Sequence, residues 1–535
     1  MIQSGQVPKN DLAPVFNRRG IAYARKGELD KAIADFTDAI HLEPDYAAAF
    51  NSRGTIYYYK GDYDKAIADY SAAIHLEPGF SDAFNNRGSI YHKKGEHDKA
   101  IADYSTAIRI KPNFADAFDS RGSTYYDKGD YDKAIADFDA AIRLKPDFYD
   151  AFNHRSLAYY GKGEYDKVIA DCDTAIRLKP DVADAFYNRG SAYQHKGDYN
   201  KAIADFDVAI RLNPNFAAAF DNRGSTYYDK GDYDKAIADF DVAIRLKPDF
   251  AFAFSNRGLI YDRKGDYDKA IADCDTAIRL NPDFFGFFYN RGSTYDHKGE
   301  YDKAIADLDK AIRLKPDYAA AFENRGLAYV HKGDYDKAIA DFDNAIHLKP
   351  DDAVAFNNRG LVYDNKGEYD KAIADFDTAI RLKSDDLDGY AGRGMTNFFM
   401  ENLPAAVSDF EKCLHIAHDK AYWILWLHLA RVRAGEKDKT EIKNETAAAN
   451  MEVWPGPIVD LFLGKSSIEQ VNELVARGHA KTNQGCDARF FIAEWHLLEG
   501  RKEAATTLLR EARMSCPIGK FERTAADLEL KRIEK

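Results

Sequence analysis

Apolar residues along most of this chain recur at intervals of three and four, the spacing that gathers them on one face of an α-helix, and the runs that carry them come in pairs. One run reads Ala-Phe-x-Asn-Arg-Gly-x-x-Tyr, and the next reads Lys-Gly-Asp-Tyr-Asp-Lys-Ala-Ile-Ala-Asp-Phe-Asp-x-Ala-Ile-Arg-Leu-Lys-Pro-Asp. The pair returns at a fixed period, the mark of a stacked architecture rather than a set of unrelated domains. Arg-Gly falls at Gly20, Gly54, Gly88, Gly122, Gly190, Gly224, Gly258, Gly292, Gly326, Gly360 and Gly394, spaced by 34 residues or, where Ser156 interrupts, by 68. After a lead segment, 1–12, eleven regular units run over 13–386 and a degenerate twelfth over 387–420.

The fourth unit shows what one period builds. Phe118, Tyr125, Ala134, Ile135, Phe138, Ala141 and Ile142 form its expected buried set, with the small Gly122 and Ala134 where the two helices cross. Gly129 is expected to end the first helix in a left-handed cap, Pro146 to stop the second and Asp147 to cap the next. Asp139 with Arg143, and Asp241 with Arg245, are placed as i,i+4 surface pairs. Cys172 and Cys274 stand in the buried aromatic column and read as small core side chains.

The columns Phe16, Gly20, Tyr23, Ala32, Phe36, Ala39 and Pro44 resemble the tetratricopeptide repeat (TPR) family, and the next ten units largely follow them. The resemblance covers about three quarters of the chain by the period itself. It implies an all-α fold: a right-handed superhelical solenoid of about twelve helix hairpins, first helices lining the concave face, where partners bind in extended form. One departure is systematic. Family members usually carry leucine before the glycine, whereas every unit here has arginine, from Arg19 to Arg393. Its stem is expected to pack while its head reaches water.

The register loosens after Leu382. Residues 421–535 read as a helical region that caps the stack: an apolar helix Ala421 to Gly435 with Trp423 and Trp426, a polar stretch 436–450, a helix Ile468 to Ala480, a drifted hairpin at 486–519 and a charged helix 519–535. The segments 454–464 and 491–498 resemble tails of bacterial TPR proteins, some of them envelope lipoproteins. No lipid-attachment cysteine stands near the start.

A net charge of −13 lacks the concentrated basic footprint of a nucleic-acid binder, so the expected partner is a protein or peptide, neutral or basic, with self-association also open. Five cysteines without a Cys-x-x-Cys pair read as reduced thiols in a reducing compartment. The start carries no apolar leader and no run is long enough to span a membrane. The expected residence is cytoplasmic, or periplasmic or envelope if a signal has been lost. No P-loop, His-Glu-x-x-His or Gly-x-Ser-x-Gly occurs, and the chain is read as a non-enzyme without cofactor or metal; His195, His297 and His331, which share a first-helix column, read as surface residues.

Candidate binding residues follow from the implied concave face. Immediately before the arginine stand Asn86, Asn188, Asn222, Asn256, Asn290, Asn324 and Asn358, with Arg18, Ser52, Ser120, His154 and Gly392 as exceptions. The run Asn188, Asn222, Asn256, Asn290, Asn324, Asn358 resembles the asparagine ladder of the TPR superhelix in the O-linked N-acetylglucosamine transferase. An amide offers donor and acceptor to any peptide unit, and such a column also serves local backbone groups. Neighbouring columns add Asp82, Asp116, Asp150 and Asp184, then Tyr126, Asp127, Tyr228, Asp229, Asp262, Asp296 and Asp364. Phe250, Phe252, Phe284, Phe285, Phe287 and Tyr289 break the pattern with aromatic side chains, as contact sites do and as filled gaps between hairpins also would. The leading reading is a scaffold that holds an extended segment of another protein. A regulatory or substrate-recruiting subunit of an enzyme and an envelope-associated assembly factor are the alternatives.

Overall fold

The computed structural model describes residues 12–418, 420–436, 453–477, 482–516 and 521–534. The chain divides into two compact units, residues 1–256 and 257–535. Thirty helices and no strand are found among the described residues. In the first unit helices follow one another as hairpins from Leu12–Arg25 and Leu29–Leu42 up to Ala217–Asp229 and Tyr233–Leu246. The second unit holds the hairpins up to Leu387–Phe399 and Leu403–Ile416, then Lys420–Arg433, Gly456–Phe462, Ile468–Arg477, Thr482–Leu498, Lys502–Ser515 and Phe521–Glu534. Within each unit a helix packs on the next, and first helices also pack on the first helix of the following hairpin. Pro517 and the polar stretch 437–450 lie outside the described residues.

Local chemistry sets each hairpin. The first helix of the fourth repeat, Ala115–Asp127, ends where Gly129 takes φ of 78°, a conformation glycine adopts without strain. There the Gly129 N–H donates to the Tyr126 carbonyl at 2.8 Å and the Asp130 N–H to that of Tyr125 at 2.9 Å, so two orphan carbonyls of the helix end are satisfied. Asp130 then accepts from the Lys133 N–H and starts the second helix, Tyr131–Leu144. The next first helix, Tyr149–Gly161, starts from Phe148 without a side-chain cap. Asp147, expected as that cap, does not serve, because the buried Phe148 occupies the position before the helix.

The core is a series of small clusters shared between neighbouring hairpins. Ala134 and Phe138 pack with Ala158 of the next repeat and the flanks of Tyr125, Tyr126 and Ile135, while Ala141 meets Phe148 and Ala151, flanked by Phe118 and Ile142. Full burial of a phenylalanine stabilises by about 1.5–3 kcal/mol relative to exposure. Glycine is required beneath the ring, since a Cβ at Gly122 would lie 2.8 Å from Phe138 Cε1. At the Ser156 interruption Cys172 replaces the ring, both residues are fully buried, and the serine hydroxyl donates to the Asn153 carbonyl at 2.6 Å.

The arginine column departs from the expected snorkelling. Arg121 donates from Nε and Nη2 to the two oxygens of Asp137 at 2.8 and 2.7 Å, and from Nη1 to Ser105 Oγ of the preceding repeat at 3.0 Å. Asp137 is buried, so the fork is bound to a carboxylate, not hydrated. From the fifth repeat the third bond goes to an aspartate: Arg155 reaches Asp139, and Arg189 reaches Asp173 at 2.5 Å. Asp139 therefore pairs with the next repeat rather than with Arg143, as expected from its spacing, because the guanidinium is already fixed within reach. A second row links Lys128 to Asp98 at 2.6 Å and Lys162 to Asp132 at 2.6 Å, again across repeats.

The C-terminal region is built differently. One large cluster runs from Ala391 to Leu530, with Trp426 fully buried and stacked on Phe490 at 5.3 Å between centroids. Arg433 is held by Glu494 at 2.9 Å and Glu529 at 2.6 Å, and the Tyr422 hydroxyl donates to Glu522 at 2.6 Å. All three carboxylates are buried. Cys486 and Cys516 form a disulfide, while Cys172, Cys274 and Cys413 are free and buried. The expectation of five reduced thiols is thereby corrected. The two cysteines lie thirty residues apart on successive helices, a proximity no local spacing announces.

Candidate functional site

The first helices carry the residues singled out for binding, and the structure shows where each side chain goes. In the first unit the asparagine column is hydrogen-bonded to the preceding repeat. Asn188, itself buried, donates from Nδ2 to Asn153 Oδ1 at 2.9 Å; Asn222 donates to the Tyr187 hydroxyl and Ser191 Oγ, each at 3.1 Å; Asn256 donates to Asp221 Oδ1 at 3.4 Å. Asn86 reaches Asn51 at 3.2 Å and His154 meets Asp119 at 2.9 Å in the same register. In the second unit burial pushes the phenol of Tyr289, one repeat before Asn324, up to about 12. Asn290 and Asn358 are half-buried members of the column.

The receiving position, one residue earlier in the preceding repeat, was not singled out as a column by sequence reasoning, which named only Tyr289 from it. Its signal was present: Asn17, Asn51, Asn85, Asp119, Asn153, Tyr187, Asp221, Ser255, Tyr289, Glu323 and Asn357 all offer a hydrogen-bonding group beside the largely half-buried phenylalanine column of the first helices. Burial at that position has an electrostatic result. Asp221, bonded by Asn256 but by no cation in that contact, is pushed up to about 6 by desolvation, and Glu323 is also raised by burial.

A second inter-repeat row follows near the ends of the first helices. His92 meets Asp127 at 3.4 Å, Gln194 donates to Asp229 at 3.5 Å, His297 Nδ1 lies 2.9 Å from Asp262, and His331 Nδ1 lies 3.0 Å from Asp296. Hydrogen bonds to the aspartates raise His297 and His331 above the usual imidazole value, while burial lowers His92. Tyr126 packs on Tyr131 at 5.7 Å, Tyr228 on Tyr233 at 5.8 Å, and His195 stacks on Tyr165 at 4.9 Å. Tyr289 meets Tyr318 edge-on at 5.2 Å. Phe287 is buried, whereas Phe252 is 43% exposed.

What remains open on the first helices is the second position of each. Asp82, Asp116, Asp150 and Asp184 are exposed on four successive repeats of the first unit, and no ion pair or hydrogen bond engages them among the described residues. The same position also holds Ala48, Ala218 and the exposed Phe252 in the first unit, and Gly286, Ala320, the exposed Val354 and the exposed Asp388 in the second. The four consecutive aspartates belong to the first unit.

Cys486, Asp487 and Glu522 bring a sulfur and two carboxylates within 4.8 Å. The sulfur is committed to the disulfide, Asp487 accepts from Trp454 Nε1 at 3.0 Å and Glu522 accepts from Tyr422. That donor set is structural. No helix among the described residues is long and apolar enough to cross a membrane.

Family models described as tetratricopeptide repeat match residues 13–46, 81–114, 183–216 and 251–284, and a further one matches 289–353 and 323–386. A model described as TPR repeat matches 54–95, 122–163, 157–197 and 224–265. Together they cover well over half of the chain. No curated protein matches it. Among solved structures, the chain is similar to Cut9–Hcn1 of the APC/C hetero-tetramer, at 16% identity and TM-score 0.43 over 78% of this chain and 96% of that one. It is also similar to yeast Tom70, at 16% identity and TM-score 0.41 over 82% and 100%, and to a tetratricopeptide repeat protein from Parabacteroides merdae, at 22% and 0.39 over 47% and 99%.

Proposed function

We propose that this chain, which belongs to the tetratricopeptide repeat family, is a protein-interaction scaffold that holds a basic, extended segment of a partner along the first-helix face of its first unit. The observation that carries this reading is the contrast within that face. The asparagine and histidine side chains are committed to neighbouring repeats and Tyr126 and Tyr228 pack on rings of their own repeats, whereas Asp82, Asp116, Asp150 and Asp184 are exposed and uncommitted. Four carboxylates at one register steer and retain a cationic strand. Asn188, Asn222 and Asn256 support the face by fixing its register, their carbonyl oxygens remaining as acceptors for a peptide N–H.

The test is an affinity capture from the native source with the four aspartates changed together to asparagine. Because these side chains are exposed, the thermal transition is expected to stay in place while recovery of the partner falls at least about tenfold at low salt and less at high salt. Recovery equal to wild type removes the acidic row from the reading. Changing Asn188, Asn222 and Asn256 to alanine is expected instead to lower the unfolding midpoint as well, which separates support from contact.

A second reading concerns where the scaffold works, and the disulfide favours it. Persistent disulfides belong to oxidising compartments, which fits an envelope-associated assembly factor better than a cytoplasmic adaptor. Alkylation of the protein under non-reducing denaturing extraction from its native source is expected to label only Cys172, Cys274 and Cys413. Labelling of all five cysteines sinks this placement.

A further inference from the structure

Behind the eleventh repeat lies a cavity of about 530 Å³ whose two walls differ in chemistry. One wall is the turn Asp364–Tyr369 together with Tyr335; Tyr335 and Tyr369 open the second helices of the tenth and eleventh repeats. The other is made by Arg513 of Lys502–Ser515 and by Arg523, Thr524, Asp527 and Lys531 of Phe521–Glu534. Arg523, Asp527 and Lys531 follow at intervals of four and so share one face of the terminal helix. Its opposite side is buried through Glu522, Ala525, Ala526, Glu529 and Leu530.

The cationic wall is under-neutralised. Asp527 serves both Arg513, at 3.2 Å, and Lys531, at 2.7 Å. Arg523 gives Nη1 to the Cys516 carbonyl at 2.9 Å and meets no carboxylate among the described residues. Three cations therefore face the cavity against two lining carboxylates, Asp527 on that wall and, on the opposite one, Asp364, which accepts from Thr396 Oγ1, in a chain whose net charge is −13. The hydroxyls of Tyr335, Tyr369 and Thr524 make no hydrogen bond among the described residues and add neutral donors. The Lys366 ammonium on the opposite wall is already committed to Asp336 at 2.6 Å and Glu368 at 3.1 Å.

We propose that this cavity binds a small organic phosphate monoester, its phosphate against Arg523, Lys531 and Arg513 and its organic part between Tyr335 and Tyr369. A dianion with three terminal oxygens matches several convergent donors, and arginine forks suit such oxygens. The volume falls in the range of small-molecule sites and exceeds what inorganic phosphate fills. The site is independent of the acidic face proposed above, since it lies wholly in the second unit.

Isothermal titration of the full-length protein with phenyl phosphate tests it, with inorganic phosphate and benzoate as comparison probes. Phenyl phosphate is expected to bind saturably, about tenfold tighter than inorganic phosphate, which lacks the ring, and about tenfold tighter than benzoate, which carries one charge. Arg523→Gln and, separately, Lys531→Gln are each expected to weaken it at least about fivefold. Lys531 is exposed, so its substitution leaves packing intact if Arg523→Gln disturbs the turn. No saturable binding at millimolar probe, benzoate binding as well as phenyl phosphate, or unchanged affinity in folded Lys531→Gln each overturns the assignment.

Discussion

The regular hairpins and the C-terminal region solve the same problem, burying helix faces, with opposite economies. Each regular interface uses a small cluster, such as Ala134, Phe138 and Ala158, pairs one buried aspartate with one arginine at its rim, and sends its other charges into rows that tie one repeat to the next. The C-terminal region gathers Trp426, Phe490, Phe491 and their neighbours into one cluster and places charges inside it. Repetition makes many equal and modest contacts. The aperiodic cluster concentrates stability in a few contacts whose loss cannot be shared.

The largest test of that contrast is Arg433→Met. It leaves Glu494 and Glu529 buried without their shared cation and is expected to cost about 3–5 kcal/mol, seen as early loss of the tryptophan fluorescence signal on denaturation while far-UV dichroism of the repeats persists. Arg121→Met in a regular repeat is expected to cost less, about 2–3 kcal/mol, because it leaves one buried carboxylate, Asp137, without its cation rather than two. Equal losses would break the comparison.

A pH test comes next. Asp364 accepts from Thr396 Oγ1 at 2.7 Å and burial pushes it up to about 6. Its folded value lies above the ordinary one near 4, so the native state holds more protons between those values. Stability therefore falls as pH rises from about 4 to about 6 and stays lower above. Asp364→Asn is expected to flatten that slope and to stabilise at pH 8 by on the order of 2 kcal/mol, read from urea midpoints at pH 5 and 8.

Smaller still is the exchange at the fifth repeat. Cys172→Phe alone is expected to overpack against Ser156 and lower stability by about 1–2 kcal/mol, and adding Ser156→Gly is expected to recover most of it in a double-mutant cycle. Additive losses would show that the ring and the glycine are not coupled. Asp139→Asn, which weakens one exposed contact to Arg155, is expected to change stability by about 0.5 kcal/mol or less.

How much of this was legible depends on range in sequence. The hairpins, Gly129 as a cap and Cys172 as a core side chain were readable because each rests on contacts within one period, where spacing alone fixes which faces meet. The direction of Arg121 was not, since a guanidinium on a helix face is compatible with water or with a carboxylate sixteen residues on. The same holds for the asparagine column. Its composition left a peptide ladder and service to local groups both open, and the donation of Asn188 and Asn222 to the preceding repeat depends on how far one hairpin is offset from another.

Period, helix boundaries and the buried small-residue columns were determined by the amino-acid sequence itself, because helical repeats encode local contacts at constant spacing. The meeting of Cys486 with Cys516, the sharing of Arg433 between Glu494 and Glu529, and the cationic wall beside Tyr335 and Tyr369 were decided only by tertiary packing. Those contacts join residues at unrelated separations, and only the placement of helices in three dimensions selects which of many compatible side chains come together.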